Sequence, residues 1–342
     1  MNRFSWLGAR SVAEAAAAAS TTTAAAMSTA DGAIVAEGSL IKAGGIDVLD
    51  LLKEGLMAPA TLVSLSSVAE LDAIAEETGG AIRIGSMITL ARIAGHPLIR
   101  ERYAALAEVA GSSASPQIRN VATIGGNLLQ RPRCWYFRSS QYHCLRKGGD
   151  RCFALSGDNR YHAIFNNRPC AIVHPSSAAT VLVALGAEVE LVNADGNRRR
   201  LHLEEFLVPP SGDIRRENQI KPREVLTGVH LPRPGADVHT AYLRLGEKTA
   251  FDWPLADVAA TLERSPGGHC RRAIVVLGAA APAPYRTVSA EKALAGRKVN
   301  EDAASAAAHA AIEDATPLSG NAYKLPLFET LIMRAILAAA GQ

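Results

Sequence analysis

The sequence contains no apolar run near the roughly 20 residues that cross a bilayer, which excludes a membrane-spanning helix. It has no G-x-G-x-x-G, and neither of its glycine turns opens a repeating βαβ series, so a Rossmann dinucleotide fold fits poorly. No C-x-x-C pair occurs, which removes the most familiar zinc and ferredoxin spacings. An excess of one charge is also missing: 36 Lys and Arg face 33 Asp and Glu, giving +3 with the two signs interspersed, and no basic footprint for nucleic acid appears. There is no internal repeat. The Ala-rich segment from Val12 to Met27 is interrupted by Glu14 and a Ser/Thr cluster, and no clear cleavage site follows it. It reads as a mature amphipathic helix leading by a loop into a strand at Ile34-Val35, with a cytoplasmic location expected from the chain's own sequence. Export on a signal-bearing partner, and hence a periplasmic location, is the alternative.

What is present centres on two glycine pairs. Ser115-Pro-Gln-Ile-Arg-Asn-Val-Ala-Thr-Ile-Gly-Gly-Asn127 follows an apolar stretch and places Thr123, Gly125, Gly126 and Asn127 in one turn. Glycines cannot hold an anion away with a side chain and tolerate φ > 0, so their N–H groups can converge on phosphate oxygens, with Thr123 and Asn127 as side-chain donors. Leu40-Ile-Lys-Ala-Gly-Gly-Ile-Asp47 reads as a strand, a tight turn and a helix from Val48 to Lys53. Two such turns suit a pyrophosphate, although Gly-Gly is also ordinary turn punctuation.

With 48% hydrophobic residues over 342 positions, two domains are expected. Residues 1 to about 60 form a first α+β lobe. A second lobe, about 61–235, begins with strand Thr61–Leu65, helix Val68–Glu77, strand Ala81–Ile84 and helices at Met87–Ile93 and Pro97–Ala110. From about 131 to 173 the pattern breaks into an insertion, before a helix at Ala178–Leu185 and a strand at Glu188–Val192. A β-rich stretch runs from Val225 to Arg244, and Leu231-Pro-Arg-Pro234 with Gly235 marks a boundary. Residues 236–342 then read as strand, helix Pro254–Glu263, strand Cys270–Leu277 and terminal helices, with Ala303–Ala311 a close-packed helix.

Four of five cysteines, Cys134, Cys144, Cys152 and Cys170, lie in the insertion, separated by nine, seven and seventeen residues. Iron-sulfur, zinc and disulfides all remain open on spacing alone. Trp135, Tyr136, Phe137, Phe153 and Phe165 can exclude water there, and Arg133, Arg138, Arg146 and Lys147 can offset thiolate charge. His143 and His162 read as structural or surface residues, and Cys270 as a buried small hydrophobe.

The Q-I-R-N-x-A-T-I-G-G-N run and the A-G-G turn resemble the FAD-binding subunit of the xanthine dehydrogenase family of molybdenum hydroxylases. The likeness extends through Ile84-Gly85-Ser86 with Thr89-Leu90, His174-Pro175-Ser176, Leu231-Pro232, Phe251-Asp252 and Pro317 to Lys324. It implies an α+β fold: a two-lobed FAD-binding domain of the vanillyl-alcohol-oxidase (PCMH) type plus a smaller C-terminal α+β domain. FAD would be held by Ile41, Lys42, Ala43, Gly44, Gly45, Ile46, Asp47 and Val48 of the first turn, and by Ser113, Thr123, Gly125, Gly126 and Asn127 around the second. Ile46 departs from relatives that carry a polar residue there. Ser177 stands where the family commonly has an acid, and cannot supply that charge. Leu226 and Arg244 match positions near the flavin ring, where a fixed cation favours the anionic reduced form.

The insertion resembles the cysteine-bearing segment of a minority of these subunits, as in periplasmic aldehyde oxidoreductases and 4-hydroxybenzoyl-CoA reductase. That resemblance implies a 4Fe-4S cluster on the four cysteines. The expected role is electron transfer in a heterotrimer, with molybdopterin on a large partner subunit, 2Fe-2S clusters on a small one, and an external electron acceptor. No molybdenum-cofactor signature and no catalytic residue can be assigned here. Two rival expectations are a 4-hydroxybenzoyl-CoA reductase-like subunit, in which electrons run toward molybdenum, and a zinc-stabilised nucleotide-binding scaffold.

Overall fold

Three sheets divide the chain, and the site residues sit where the sheets' connections meet. A computed structural model describes residues 2–27 and 37–342, so the strand expected at Ile34-Val35 lies outside the described residues. In the first lobe, β1 (Ser5–Gly8), β2 (Ser39–Lys42) and β3 (Thr61–Ser64) form a parallel sheet in the order β1-β3-β2. The Ala-rich segment gives two short helices, Val12–Ala18 and Thr23–Met27, where one is expected; Ser11 caps the first by accepting from Glu14 N.

The second lobe is an antiparallel sheet of β4 (Ile74–Glu76), β5 (Ile82–Gly85), β6 (Glu188–Asn193), β7 (Arg198–His202) and β8 (Glu224–Leu231), ordered β4-β5-β8-β6-β7. The helix expected over Val68–Glu77 is instead a short turn at Ala69–Leu71 followed by β4, which pairs Ile74 with Ile84. Glu70 accepts from Val12 N at 2.9 Å, at the start of the helix Val12–Ala18, binding this segment to the first lobe. The helix expected over Pro97–Ala110 is broken at Tyr103 (φ −138°, ψ 53°), whose hydroxyl donates to Pro232 O at 2.8 Å. Ser177–Ala184 buries every residue from Ala178 to Ala184, all apolar but Thr180, and packs in the main core with Leu106, Leu128, Val229 and Val276.

The last sheet runs β12-β11-β10-β9, from β9 (Val238–Leu245), β10 (Ala256–Arg264), β11 (Cys270–Gly278) and β12 (Tyr285–Arg286). β10 replaces the expected helix over Pro254–Glu263. Its alanines favour a helix in isolation, but alternate residues face two different cores. Val258, Ala260 and Leu262 pack with the helices Glu301–Ile312 and Lys324–Ala339, and Ala259 packs with the second-lobe core. Small side chains on a central strand let helices approach from both faces, so tertiary packing overrides propensity. Cys270 opens β11 in the C-terminal core, as a small buried hydrophobe. No helix among the described residues is long and apolar enough to cross a membrane.

The insertion has little regular structure beyond the four-residue helix Trp135–Arg138 and short turns at Leu145–Lys147 and Phe153–Leu155. Its Phe137 and Cys144 pack with Leu51, Leu52 and Met57 of the first lobe. Its Ile164 and Phe165 belong to the C-terminal core, Phe165 stacking on Tyr285 at 4.2 Å. Phe165 therefore shields that core, and not the cysteines.

Candidate functional site

A cleft of about 480 Å³ is walled by both glycine turns and by the start of the C-terminal domain. β2 delivers the first turn. Gly45 is left-handed (φ +91°) and begins the helix Ile46–Lys53, a conformation that a β-carbon would strain. Gly44 serves a different purpose: a β-carbon there would lie 2.0 Å from Val121 O, so the two turns touch backbone to backbone.

In the second turn Thr123 caps the helix Ile124–Leu128, accepting from Gly126 N at 3.1 Å. Gly125 N donates to Ser86 O at 2.9 Å, and a β-carbon on Gly125 would sit 2.8 Å from Ser86 Cβ. Gly125 is thus needed for close packing, and Gly126 borders the space toward Ala43. Asn127 Oδ1 accepts from Ser176 Oγ at 2.5 Å, and Ser176 Oγ in turn caps Ser177–Ala184 by accepting from Ala179 N. The bridge joins the end of the helix Ile124–Leu128 to the N-cap of Ser177–Ala184, leaving the Asn127 amide nitrogen as a donor. The buried Ser86 Oγ has no protein partner and lines the same cleft.

Every residue that the sequence places at the flavin lines this cleft except Lys42, whose Nζ lies 5.2 Å from the centre of the Trp6 ring. Ser113 ends the helix Ala104–Ser112, and its hydroxyl donates to Val109 O at 2.6 Å, so it acts as a helix-end cap at the cleft wall. Arg244 is no free surface strand residue. Its Nη1 donates to Ser112 O at 2.9 Å and its Nη2 to Asp252 O at 2.8 Å, fastening β9 to a helix end and to the loop carrying Phe251 and Trp253.

No acid stands at Ser177, but a carboxylate from a distant strand is buried behind it. Asp257 of β10 is fully buried beside Ser177 and accepts from Tyr242 Oη at 3.1 Å. Burial raises its pKa, against the pull of the Ser177 and Tyr242 hydroxyls and the Arg244 and Lys324 cations. Lys324 is also buried, donating to Ala279 O at 2.6 Å, and desolvation pushes its pKa down to about 7. Nothing local in the sequence marks Asp257, because its surroundings read as helical. Ser176 and Ser86 lie inside the family-like motifs, where no local feature distinguishes them as site residues.

Asp47 looks misplaced at the first turn of a helix facing an anion site, since a carboxylate there opposes phosphate. The structure neutralises it: Oδ2 accepts from Arg131 N at 2.8 Å, and Oδ1 receives Arg138 at 2.6 Å and Arg133 at 3.0 Å. Asp50 binds the same two guanidinium groups, each at 3.2 Å. Arg133 and Arg138 are therefore spent on the first lobe, and do not offset thiolate charge.

Cys134, Cys144, Cys152 and Cys170 line one small cavity with Phe137 and Phe153, and none is in a disulfide. Burial pushes the Cys134 thiol up to about 12, whereas a hydrogen bond from Cys170 lowers Cys152 to about 6. Arg146 is buried against Cys170 and pairs with Glu217 at 2.5 Å; Arg131 takes the other oxygen of Glu217 at 2.9 Å. Lys147 Nζ donates to Ser139 O at 2.6 Å. Two buried guanidinium groups thus share one carboxylate, while the Lys147 ammonium is held by backbone carbonyls. His162 is not a surface residue: it is buried, and its Nε2 is 3.2 Å from Cys134 Sγ. His143 bonds Lys147 O, away from the sulfurs. Among the described residues no group of three or more His, Cys, Asp or Glu is placed to hold a metal ion.

Residues 2–234 match the family described as the FAD binding domain in molybdopterin dehydrogenase. The chain belongs to this family. Residues 241–339 match the CO dehydrogenase flavoprotein C-terminal domain. This molybdopterin dehydrogenase flavoprotein is similar to the aldehyde oxidoreductase FAD-binding subunit PaoB of Escherichia coli K12, at 32% identity over 89% of this chain and 92% of that one. It is also similar to the carbon monoxide dehydrogenase medium chain of Hydrogenophaga pseudoflava, at 27% identity over 87% and 88% of the two chains. A solved carbon monoxide dehydrogenase from H. pseudoflava superposes with a TM-score of 0.74 at 25% identity, covering 99% of this chain and 98% of the other. These relatives are oxidoreductase subunits.

Proposed function

We propose that the chain is the FAD- and 4Fe-4S-bearing electron-transfer subunit of a molybdenum-dependent aldehyde oxidoreductase. The observation that carries the reading is the convergence of four cysteines on one cavity beside a cleft walled by both glycine turns. Residues 1–235 would be the two-lobed FAD domain of PCMH type and 236–342 the C-terminal domain. The aldehyde class rests on the similarity to PaoB.

The residues fit both cofactors. The backbone N–H groups of the two glycine turns, the unpartnered Ser86 hydroxyl and the Asn127 amide suit a pyrophosphate. Around the cysteines, Arg131, Arg146 and Lys147 against Glu217 leave a buried excess of positive charge, which four neutral thiols would not balance and a thiolate-ligated cluster would.

When bound, FAD would supply a ring that exchanges electrons singly or in pairs, and the cluster a one-electron relay. The chain's own contribution is to position and insulate. Arg244, pinned by two carbonyls, presents a fixed charge that favours an anionic reduced ring. Phe137, Phe153 and Tyr136 keep water from the cysteine cavity. Electrons would arrive from molybdenum on a large partner through 2Fe-2S clusters on a small partner, and leave to an external acceptor. Purified chain should carry about one FAD and four iron atoms, show no aldehyde turnover by itself, and pass electrons once reduced. Aldehyde oxidation by the isolated, molybdenum-free chain would overturn the proposal.

A further inference from the structure

A second cavity, of about 190 Å³, lies between the flavin cleft and the cysteine cavity. It shares Arg133, Pro175, Asp252 and Trp253 with the cleft, and Cys134 and His162 with the cysteines. Aromatic rings dominate its walls: Trp135, Tyr161 edge-on to it at 5.6 Å, and Trp253, on which the Arg133 guanidinium packs at 5.0 Å. That guanidinium is already paired with Asp47 and Asp50, so the wall offers no free cation. Glu247 and Asp252 add carboxylates to the rim.

Three buried polar atoms on its lining residues have no partner in the protein, Arg133 Nε, His162 Nδ1 and His174 Nε2, and of these only His174 belongs neither to an ion pair nor to the cysteine cluster. His174 is 5% exposed, and its Nδ1 accepts from Ser176 N at 3.3 Å, which places the ring proton on Nε2. Nε2 has no partner in the protein. Burial also lowers the ring's pKa to about 4, so the donor is neutral. An uncharged N–H without an acceptor is costly to bury, typically by 1–3 kcal/mol, and calls for an oxygen supplied from outside.

We propose that this cavity binds the ring of a quinone, one carbonyl oxygen accepting from His174 Nε2 and the ring lying among Trp135, Tyr161 and Trp253. The inference rests on the electron-transfer reading above and names the acceptor. A cavity of this size is below the roughly 300–1,000 Å³ typical of drug-sized ligands, so it suits one or two fused rings and not a dinucleotide. A dinucleotide's phosphates would also meet Glu247 and Asp252 with no free cation to offset them. The step balances: the quinone gains two electrons and two protons, each C=O becoming C–OH, while the flavin hydroquinone returns to its oxidised form and supplies the electrons and, with solvent, the protons.

The test uses the full FAD-bound chain, reduced with dithionite, with menadione as the probe and ferricyanide as a second acceptor. His174→Leu should raise the KM for menadione at least tenfold, His174→Gln, which keeps an N–H, should recover most of that loss, and NAD⁺ should not compete. Trp253→Ala, in an exposed loop, should weaken menadione in the same sense and covers the case in which His174→Leu fails to fold. A wild-type menadione KM in flavin-replete His174→Leu or Trp253→Ala overturns the site. Ferricyanide reduction without any binding or reduction of menadione also overturns it, leaving the electron-transfer reading intact. Failure to reduce either acceptor overturns that reading itself.

Discussion

Arg138 Nη2 donates to Asp47 Oδ1 at 2.6 Å, across 91 residues of sequence, and so ties the cysteine-bearing segment to the helix that opens at the first glycine turn. Arg133 and the Arg131 backbone converge on the same carboxylate. The insertion is thus a brace for the flavin cradle as well as a holder of cysteines. Removing a brace of this kind should be felt at the flavin. Arg138→Gln is expected to weaken FAD binding about tenfold, equivalent to about 1.4 kcal/mol, with iron content retained. Flavin fluorescence titration of the apo-flavin protein measures it, and unchanged affinity would remove Arg138 from the brace.

The two glycines of the second turn should separate by phenotype. Gly125→Ala forces a contact with Ser86 and should lower thermal stability, in the range of about 1–3 kcal/mol for overpacking. Gly126→Val fills the gap between Thr123 and Ala43 and should abolish FAD retention in a protein that still folds. Circular dichroism melts and flavin content, measured on both variants, distinguish the two losses.

Single Cys→Ser changes at Cys134, Cys144, Cys152 and Cys170 should each deplete iron and acid-labile sulfide. Cys270→Ser should leave iron at the wild-type level and cost only stability, because that thiol lies in the C-terminal core. Iron loss in Cys270→Ser equal to that in Cys144→Ser would refute the ligand set.

Lys324 gives a pH signature. Its folded pKa of about 7 is below the unfolded value near 10.5, so between these pH values the unfolded chain binds more protons and stability rises with pH. Below pH 7 the full desolvation penalty is present; above about 10.5 it is gone. Asp257, raised in the folded state, has the opposite slope at the acidic end, so the difference between wild type and Lys324→Met isolates the lysine. That difference should shift in favour of wild type as pH rises from 7 to 10, read as thermal midpoints in FAD-bound protein. A difference independent of pH would show that Lys324 titrates normally.

Motifs with a strong local cause were legible in the sequence. The glycine turns could be read because a left-handed residue or a close backbone approach demands glycine wherever the chain goes, and the four cysteines because clustering is a compositional fact. Long-range replacement was not legible. Ser177 lacks a charge, and nothing near it in sequence says that Asp257, eighty residues on, supplies a carboxylate to the same spot. β10 misled because alanines that permit two-sided packing on a strand are also the best helix formers. Their place beside the cysteines makes Arg133 and Arg138 look like partners of thiols, but their partners Asp47 and Asp50 come from another lobe. For the same reason Lys42, inside the turn motif, could not be seen to lie over Trp6.

Gly44 has its α-carbon against the Val121 carbonyl, with no room for even a methyl group between the two turns. Contact this close sets the spacing of the two turns by backbone and not by adjustable side chains, so any residue larger than glycine at position 44 would pry the two lobes apart and widen the gap between the turns.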